Sequence, residues 1–287
     1  MPGPNTRFST RLITSLPRPV RWLIPAGLTV LGLLILATAA DLGGMQVGWM
    51  RAHLTFSALF GALGCFLAAR SAAGRARAVM GWIGAVVTLW ALAEVIRDIQ
   101  LIQGTLGADI LADIVFLGAL PFTAMAYRAA LRGRLSPSDE TAVYLDAAIV
   151  FFGSAATLLI IFGNAAGQRV AGPVDLAYAV FFLATALSAL LLNVALLVER
   201  RARGGYLVLL GSVLLGAGFL WRLAAPSALG VDGAGVPQYF LSIGVVVAML
   251  GTVTGAMSST STRRTCALLG ESGAACPWAG WQSPPCC

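Results

Sequence analysis

Long apolar runs divided by short polar loops dominate this chain. A helix crosses the hydrocarbon core of a bilayer with about 20 apolar residues. Eight runs approach that length: Trp22–Ala40, Leu54–Ala69, Val79–Ile96, Ile110–Tyr127, Ala142–Phe162, Leu176–Val198, Tyr206–Ala224 and Tyr239–Met257. Backbone groups in lipid need partners within their own segment, which selects helix. The alternating pattern of a membrane barrel is absent. The pattern therefore predicts an all-α fold, a polytopic transmembrane helix bundle of about eight spans. Residues 1–21 form a basic arm, 22–257 the transmembrane helical domain, and 258–287 a short tail.

Composition agrees with this pattern. Of 287 residues, 58% are hydrophobic and 11% charged, and the mean hydropathy is +0.85. A soluble domain carries about 25% charged residues. The formal net charge of +7 comes from arginine alone, with no lysine in the chain. That excess follows the loops and points to no nucleic-acid partner.

The loops predict orientation. Fifteen of the nineteen arginines fall in the N-terminal arm, the second, fourth and sixth loops, and the segment after the last run. Only Arg51, Arg97, Arg169 and Arg222 fall on the other side. Arginine-rich loops stay in the cytoplasm, so both termini are expected inside (N-in/C-in). Trp22, Trp82, Tyr144 and Tyr206 then mark the inner interface, and Trp49, Tyr178, Trp221 and Tyr239 the outer one. The first run is longer than the apolar region of a secretory signal and is read as an uncleaved span. The lipid bilayer of a bacterial inner membrane is the expected partner.

Charge inside or beside a span is costly and calls for a partner or a wet cavity. Glu94, Arg97 and Asp98 close the third span, Asp109 and Asp113 open the fourth, Asp175 opens the sixth, and Arg222 closes the seventh. All lie toward the outer face. Glu94 and Asp98 share one helix face at i, i+4. Glu94, Arg97, Asp98, Asp113, Asp175 and Arg222 are the candidate ligand-binding set, suited to a small cation, an amine or a peptide. The competing reading is structural: ion pairs such as Glu94–Arg97 or Asp113–Arg222, and aspartates at helix starts favoured by the helix dipole. Glu94, Asp113 and Arg222 are expected to converge. Asp146, alone in the fifth span, is expected beside Arg128 or Arg132.

Catalytic patterns are missing: no P-loop, nucleophile elbow, HExxH or CxxC occurs. The lone His53 reads as an interfacial residue at the outer end of the second span. The tail cysteines fit no zinc spacing. No metal, no cofactor and no enzymatic activity are expected. The tail reads as a disordered cytoplasmic end or the product of a frameshift or truncation. Gly251 and Gly255 make a small-xxx-small face in the last span, able to pack within the bundle or against a second copy in a homodimer.

The stretches WALAEV (Trp90–Val95), LADIVFLGALP (Leu111–Pro121), YLDAAIVFF (Tyr144–Phe152) and VDLAYAVFF (Val174–Phe182) resemble the multi-helix membrane region ahead of GGDEF or GGDEF–EAL domains in bacterial cyclic-di-GMP signalling proteins. Glu94, Asp113 and Asp146 are the matching acidic positions, over about 175 residues. The chain carries neither a GGDEF nor an EAL signature. The resemblance implies a sensory input module without its catalytic output. A small-solute transporter is the alternative, and would show inverted repeats and broken helices near the midplane. A third reading is an inert truncated product. The segments beginning at Leu111 and Val174 instead resemble each other in the same orientation.

Overall fold

A computed structural model describes residues 18–104, 111–132, 136–163, 180, 205–224 and 235–271. The described residues form helices and tight turns, with no strand among them. In chain order the helices are α1 (Arg18–Ala39), α2 (Gln46–Ser71), α3 (Gly74–Ile102), α4 (Leu111–Leu117), α5 (Ala119–Leu131), α6 (Pro137–Gly163), α7 (Gly205–Ala224) and α8 (Val236–Glu271). Five segments are long and apolar enough to cross a membrane: Arg21–Ala39, Gln46–Ser71, Gly74–Ile102, Leu111–Leu131 and Val236–Thr254. Tyr206–Trp221 is a shorter apolar helix. The predicted run Leu176–Val198 lies outside the described residues apart from the single helical residue Val180.

The turns follow from local chemistry. Between α1 and α2 the chain passes through Asp41 (φ 45°), Gly43 (φ 72°) and Gly44 (φ 66°). The Trp49 indole N–H donates to the Leu42 carbonyl at 2.9 Å and pins this turn to the next helix. Between α2 and α3 two extended alanines lead into Gly74 at φ 54°, a left-handed conformation that a side chain would resist. Ser136 caps the start of α6: its hydroxyl receives the Asp139 N–H at 3.2 Å, with Pro137 at the first helical position.

The fourth span is interrupted. Pro121 has no N–H to offer the Leu117 carbonyl, and its ring crowds that group. The helix accordingly breaks at Gly118, between α4 and α5. Pro121 thus lies in the first turn of α5, while Pro25 stands inside α1.

Helix α2 is central. It packs on α1, α3 and α8, while α4 and α5 lie on α3, and α7 lies along α8. One core joins Leu54 and Ala58 of α2 to Trp90 of α3, Phe116 of α4, Phe219 of α7 and Leu241 of α8. A second joins Phe60 and Cys65 of α2 to Leu31, Met80, Val246 and Met249. The contact of α7 with α8 is close: a Cβ on Gly211 would strike the backbone of Ala248, and one on Gly244 would lie 3.0 Å from the Gly211 carbonyl. Large apolar side chains remain exposed on the outside, among them Leu33, Leu36, Ile149 and Phe152 at 62–69%. A water-soluble surface rarely tolerates such patches, whereas a lipid-facing one requires them.

Two expectations about extent need correction. The second span begins at Gln46 rather than Leu54. Its first two turns hold Gln46, Arg51 and His53, whose polarity masks them in a hydropathy reading. The last helix does not stop at Met257 but continues through Glu271. The disordered tail expected from residue 258 is therefore helical to that point. The chain from Met257 to Leu269 contains neither glycine nor proline to end it. Residues 272–287 lie outside the described set.

Candidate functional site: a buried charge network and its histidine neighbour

The beginnings of α2 and α4 and the end of α3 meet at one end of the bundle. Five charged side chains converge there: Arg51 from α2, Glu94, Arg97 and Asp98 from α3, and Asp113 from the first turn of α4. Arg97 Nη1 donates to Glu94 Oε1 at 2.9 Å and its Nη2 to Asp113 Oδ1 at 2.6 Å. Arg51 Nε donates to Asp98 Oδ1 at 2.7 Å, and the Thr55 hydroxyl to Asp98 Oδ2 at 2.6 Å. Arg51 Nη2 lies 3.8 Å from Glu94 Oε2, an electrostatic contact too long for a hydrogen bond.

Glu94 is the deepest member, with its side chain 5% exposed. The Trp90 indole N–H, one helical turn earlier, donates to its Oε1 at 3.2 Å. A carboxylate at that burial needs charged or hydrogen-bonding partners, and Glu94 has both. Three carboxylates face two guanidinium groups, so with all five ionised the cluster carries one net negative charge.

The expected convergence of Glu94 and Asp113 is therefore found, with one guanidinium holding both. Of the two ion pairs expected, Glu94–Arg97 forms. Asp113 is held by Arg97 as well. Arg222 closes α7, but its side chain lies outside the described residues, as Asp175 and Asp109 do altogether. Asp98 belongs to the network as its i, i+4 spacing from Glu94 implied. Asp146 is exposed and makes no ion pair with Arg128 or Arg132.

Sequence reading missed Arg51 and Thr55. A signal was available: Arg51 and Thr55 are themselves i, i+4 and present one face of α2, matching the Glu94–Asp98 face of α3.

His53 also departs from expectation. It is fully buried rather than interfacial. The earlier start of α2 puts it two turns inside that helix. Its Nδ1 lies 2.7 Å from the Ser242 hydroxyl of α8, and its ring stacks on Tyr239 with centroids 5.3 Å apart. Its Nε2 is buried with no hydrogen-bond partner among the described residues. Beside it the Gly235 N–H approaches the Met50 sulfur at 3.1 Å. Helix α2 thus binds the charge network through Arg51 and Thr55 and the start of α8 through Met50 and His53.

Among the described residues no group of three or more histidines, cysteines or carboxylates is placed to hold a metal. Arginines engage the carboxylates that do converge.

The chain matches no protein-family model, no characterised protein and no solved structure.

Proposed function

We propose that this chain is a sensory or signal-relaying module of a bacterial inner membrane, with eight spans and both termini in the cytoplasm. The observation that carries this reading is the continuity from the charge network to α8. Arg51 and His53 stand two residues apart on α2, one bonded to Asp98 and the other to Ser242. Helix α8 then runs unbroken for 36 residues. At 1.5 Å per residue that is about 54 Å, well beyond a hydrocarbon core of about 30 Å. A ligand competing for Arg51 or Arg97 at the outer face would shift α2, and α2 carries that shift to a helix reaching the other side. A charge network with two available packings is a suitable bistable element.

The transporter alternative gains one observation, the break at Gly118 in the fourth span. The break is a single residue, and Gly118 N–H still bonds the Ile114 carbonyl at 2.9 Å. It frees little backbone to coordinate a solute, which favours the sensory reading.

The test is a chimera. A diguanylate cyclase domain, of the kind the resemblance implies, is fused after Arg264 and its output measured in cells. Arg51→Gln, Glu94→Gln and Asp113→Asn are expected to change output severalfold, while Asp139→Asn, in the exposed cap of α6, leaves it unchanged. Output equal to wild type in all three network variants would refute the proposal. Uptake of a charged solute that all three abolish would favour transport.

A further inference from the structure

Arg51, Glu94, Arg97, Asp98 and Asp113 each meet an opposite charge. Asp146 of α6 does not. It is exposed, and no described residue gives it a hydrogen bond or an ion pair. Charged residues within membrane helices almost always face the bundle interior or a wet cavity, and they pair. From this exception we infer that the outward face of α6 around Asp146 docks a spanning helix of another protein, one that carries an arginine or lysine at the same depth. The inference goes beyond the signalling reading. It rests on one part of it, that α6 crosses the membrane with its Ser136 end in the cytoplasm.

Depth and exposure frame the problem. The polar start of α6 ends at Thr141, and its apolar run begins at Ala142. Asp146 stands one turn inside that run, about 10 Å along the helix from Asp139 in the first turn. The head-group layer on each side of the core is about 6 Å thick, so a cap within that layer puts Asp146 below it. Ala147 and Val150 are half-buried and Ser154 is buried, and this stripe faces the protein. Asp146 stands off that stripe with Ala142, Ile149 and Gly153, all exposed and spaced four, three and four residues apart. Ile149 is 69% exposed, and a Cβ on Gly153 would meet nothing within 4 Å. The face is open over three helical turns, and apolar except for one carboxylate.

That carboxylate selects the occupant. Acyl chains cover the apolar positions but leave Asp146 without a counter-charge. A lipid amine sits in the head-group layer, and an aspartate side chain is too short to climb to it. A second copy packed here about a two-fold axis would bring Asp146 against its own symmetry mate, two like charges in a setting of low dielectric. An arginine or lysine on a neighbouring helix meets the need. Its long apolar stem lies along the seam while its charge reaches the carboxylate. Ala142 and Gly153, small residues on either side of Asp146, leave room for that stem and for close approach of the partner helix.

Split-reporter complementation in cells tests this with the full chain. The probe is a designed single-span helix of leucine and alanine with one arginine a turn inside its cytoplasmic boundary. Its signal is expected to be severalfold above that of the same helix with leucine at that position. Asp146→Asn, alike in shape, and Asp146→Leu should both reduce the signal to the leucine level, while Asp139→Asn should not. Equal signals from the arginine and leucine helices would overturn the inference, as would an arginine signal that both Asp146 variants retain. Complementation between two copies of the chain, lost in Asp146→Leu and not competed by the arginine helix, would assign the face to a second copy. Retention of phosphatidylethanolamine in native mass spectrometry that depends on Asp146 would assign it to a lipid amine. Either result would overturn the partner-helix assignment. Reporter fusions after Arg134 and at Gly167 check the crossing of α6 separately, and a shared side for both would overturn the inference through its premise. Failure of the cyclase chimera, by contrast, would refute the signalling reading and leave the complementation result standing.

Discussion

Arg97 reaches across sixteen residues of sequence to place Nη2 2.6 Å from Asp113, and this bond ties the short helix α4 to the end of α3. The same guanidinium holds Glu94. Arg97→Ala would leave a nearly buried carboxylate with a long contact to Arg51 and one indole hydrogen bond. Breaking a buried pair from one side costs about 3–5 kcal/mol, and the 18% exposure of Arg97 places it near the lower end, about 3 kcal/mol. Glu94→Gln combined with Arg97→Met should recover part of that loss, because both charges are then gone. Thermal unfolding in detergent measures both variants. A double variant no more stable than Arg97→Ala would show that the ion pair is not what holds this corner.

The Arg51–Asp98 pair makes a milder prediction. Thr55 supplies one hydrogen bond to Asp98, whose side chain is 29% exposed. Thr55→Val is expected to cost about 1 kcal/mol, the net value of one hydrogen bond. Arg51→Met should cost more, since it also removes the 3.8 Å contact with Glu94. In a double-mutant cycle Thr55 and Arg51 should couple through their shared acceptor. Strict additivity of the two changes would mean that Asp98 does not join them.

What the sequence revealed here was mostly what lies on a single helix. The spacing of Glu94, Arg97 and Asp98 places them on neighbouring faces of one helix, and their mutual roles were readable. Five membrane-crossing segments were readable for the same reason, since a lipid-facing helix carries a long apolar run. Arg51 was not, because its partner Asp98 lies 47 residues away and only packing brings them together. Arginine counting treated it as one of four loop residues on the sparse side, which is a statement about orientation and not about contacts. His53 escapes a hydropathy reading because Gln46, Arg51 and His53 interrupt the first eight residues of α2, which therefore read as loop. Residues 258–271 carry no amphipathic period and so read as a disordered end, although the stretch has no strong helix breaker before Gly270.

His53 and Ser242 predict a reversal of the usual order of single and double variants. Ser242→Ala leaves the buried His53 ring with neither nitrogen bonded among the described residues. The expected cost is about 1–3 kcal/mol, the penalty for a buried polar group without its partner. His53→Phe with Ser242→Ala removes both polar groups and keeps an aromatic ring over Tyr239. That double variant should be more stable than Ser242→Ala alone. A double variant less stable than either single change would show that His53 contributes through something other than this bond.

The glycines of the α7–α8 contact give a steric prediction with an internal control. A Cβ on Gly211 would overlap the backbone of Ala248, which cannot rotate away. Gly211→Leu should push the helices apart and cost about 1–3 kcal/mol or more, as overpacking does. Nothing lies within 4 Å of a Cβ placed on Gly81, two turns into α3. Gly81→Ala should therefore be neutral or stabilising by up to about 1 kcal/mol, from helix propensity alone. Equal destabilisation by both would mean that glycine serves helix flexibility here rather than close approach.

Topology gives the last prediction. The α2–α3 turn, the end of α5 and the start of α6 lie at one end of the bundle, and they carry Arg70, Arg75, Arg77, Arg128 and Arg132. The other end carries Arg51 and Arg97, both engaged by carboxylates. The richly basic end is expected in the cytoplasm. Reporter fusions after Arg134 and after Arg203 should then read as cytoplasmic, and a fusion at Gly167 as periplasmic. The three fusions test more than orientation, because Gly167 and Arg203 flank the predicted sixth span. A periplasmic reading at Arg203 together with a cytoplasmic one at Arg134 would mean that an odd number of crossings separates them, and the eight-span count would fall even with the N-terminus inside.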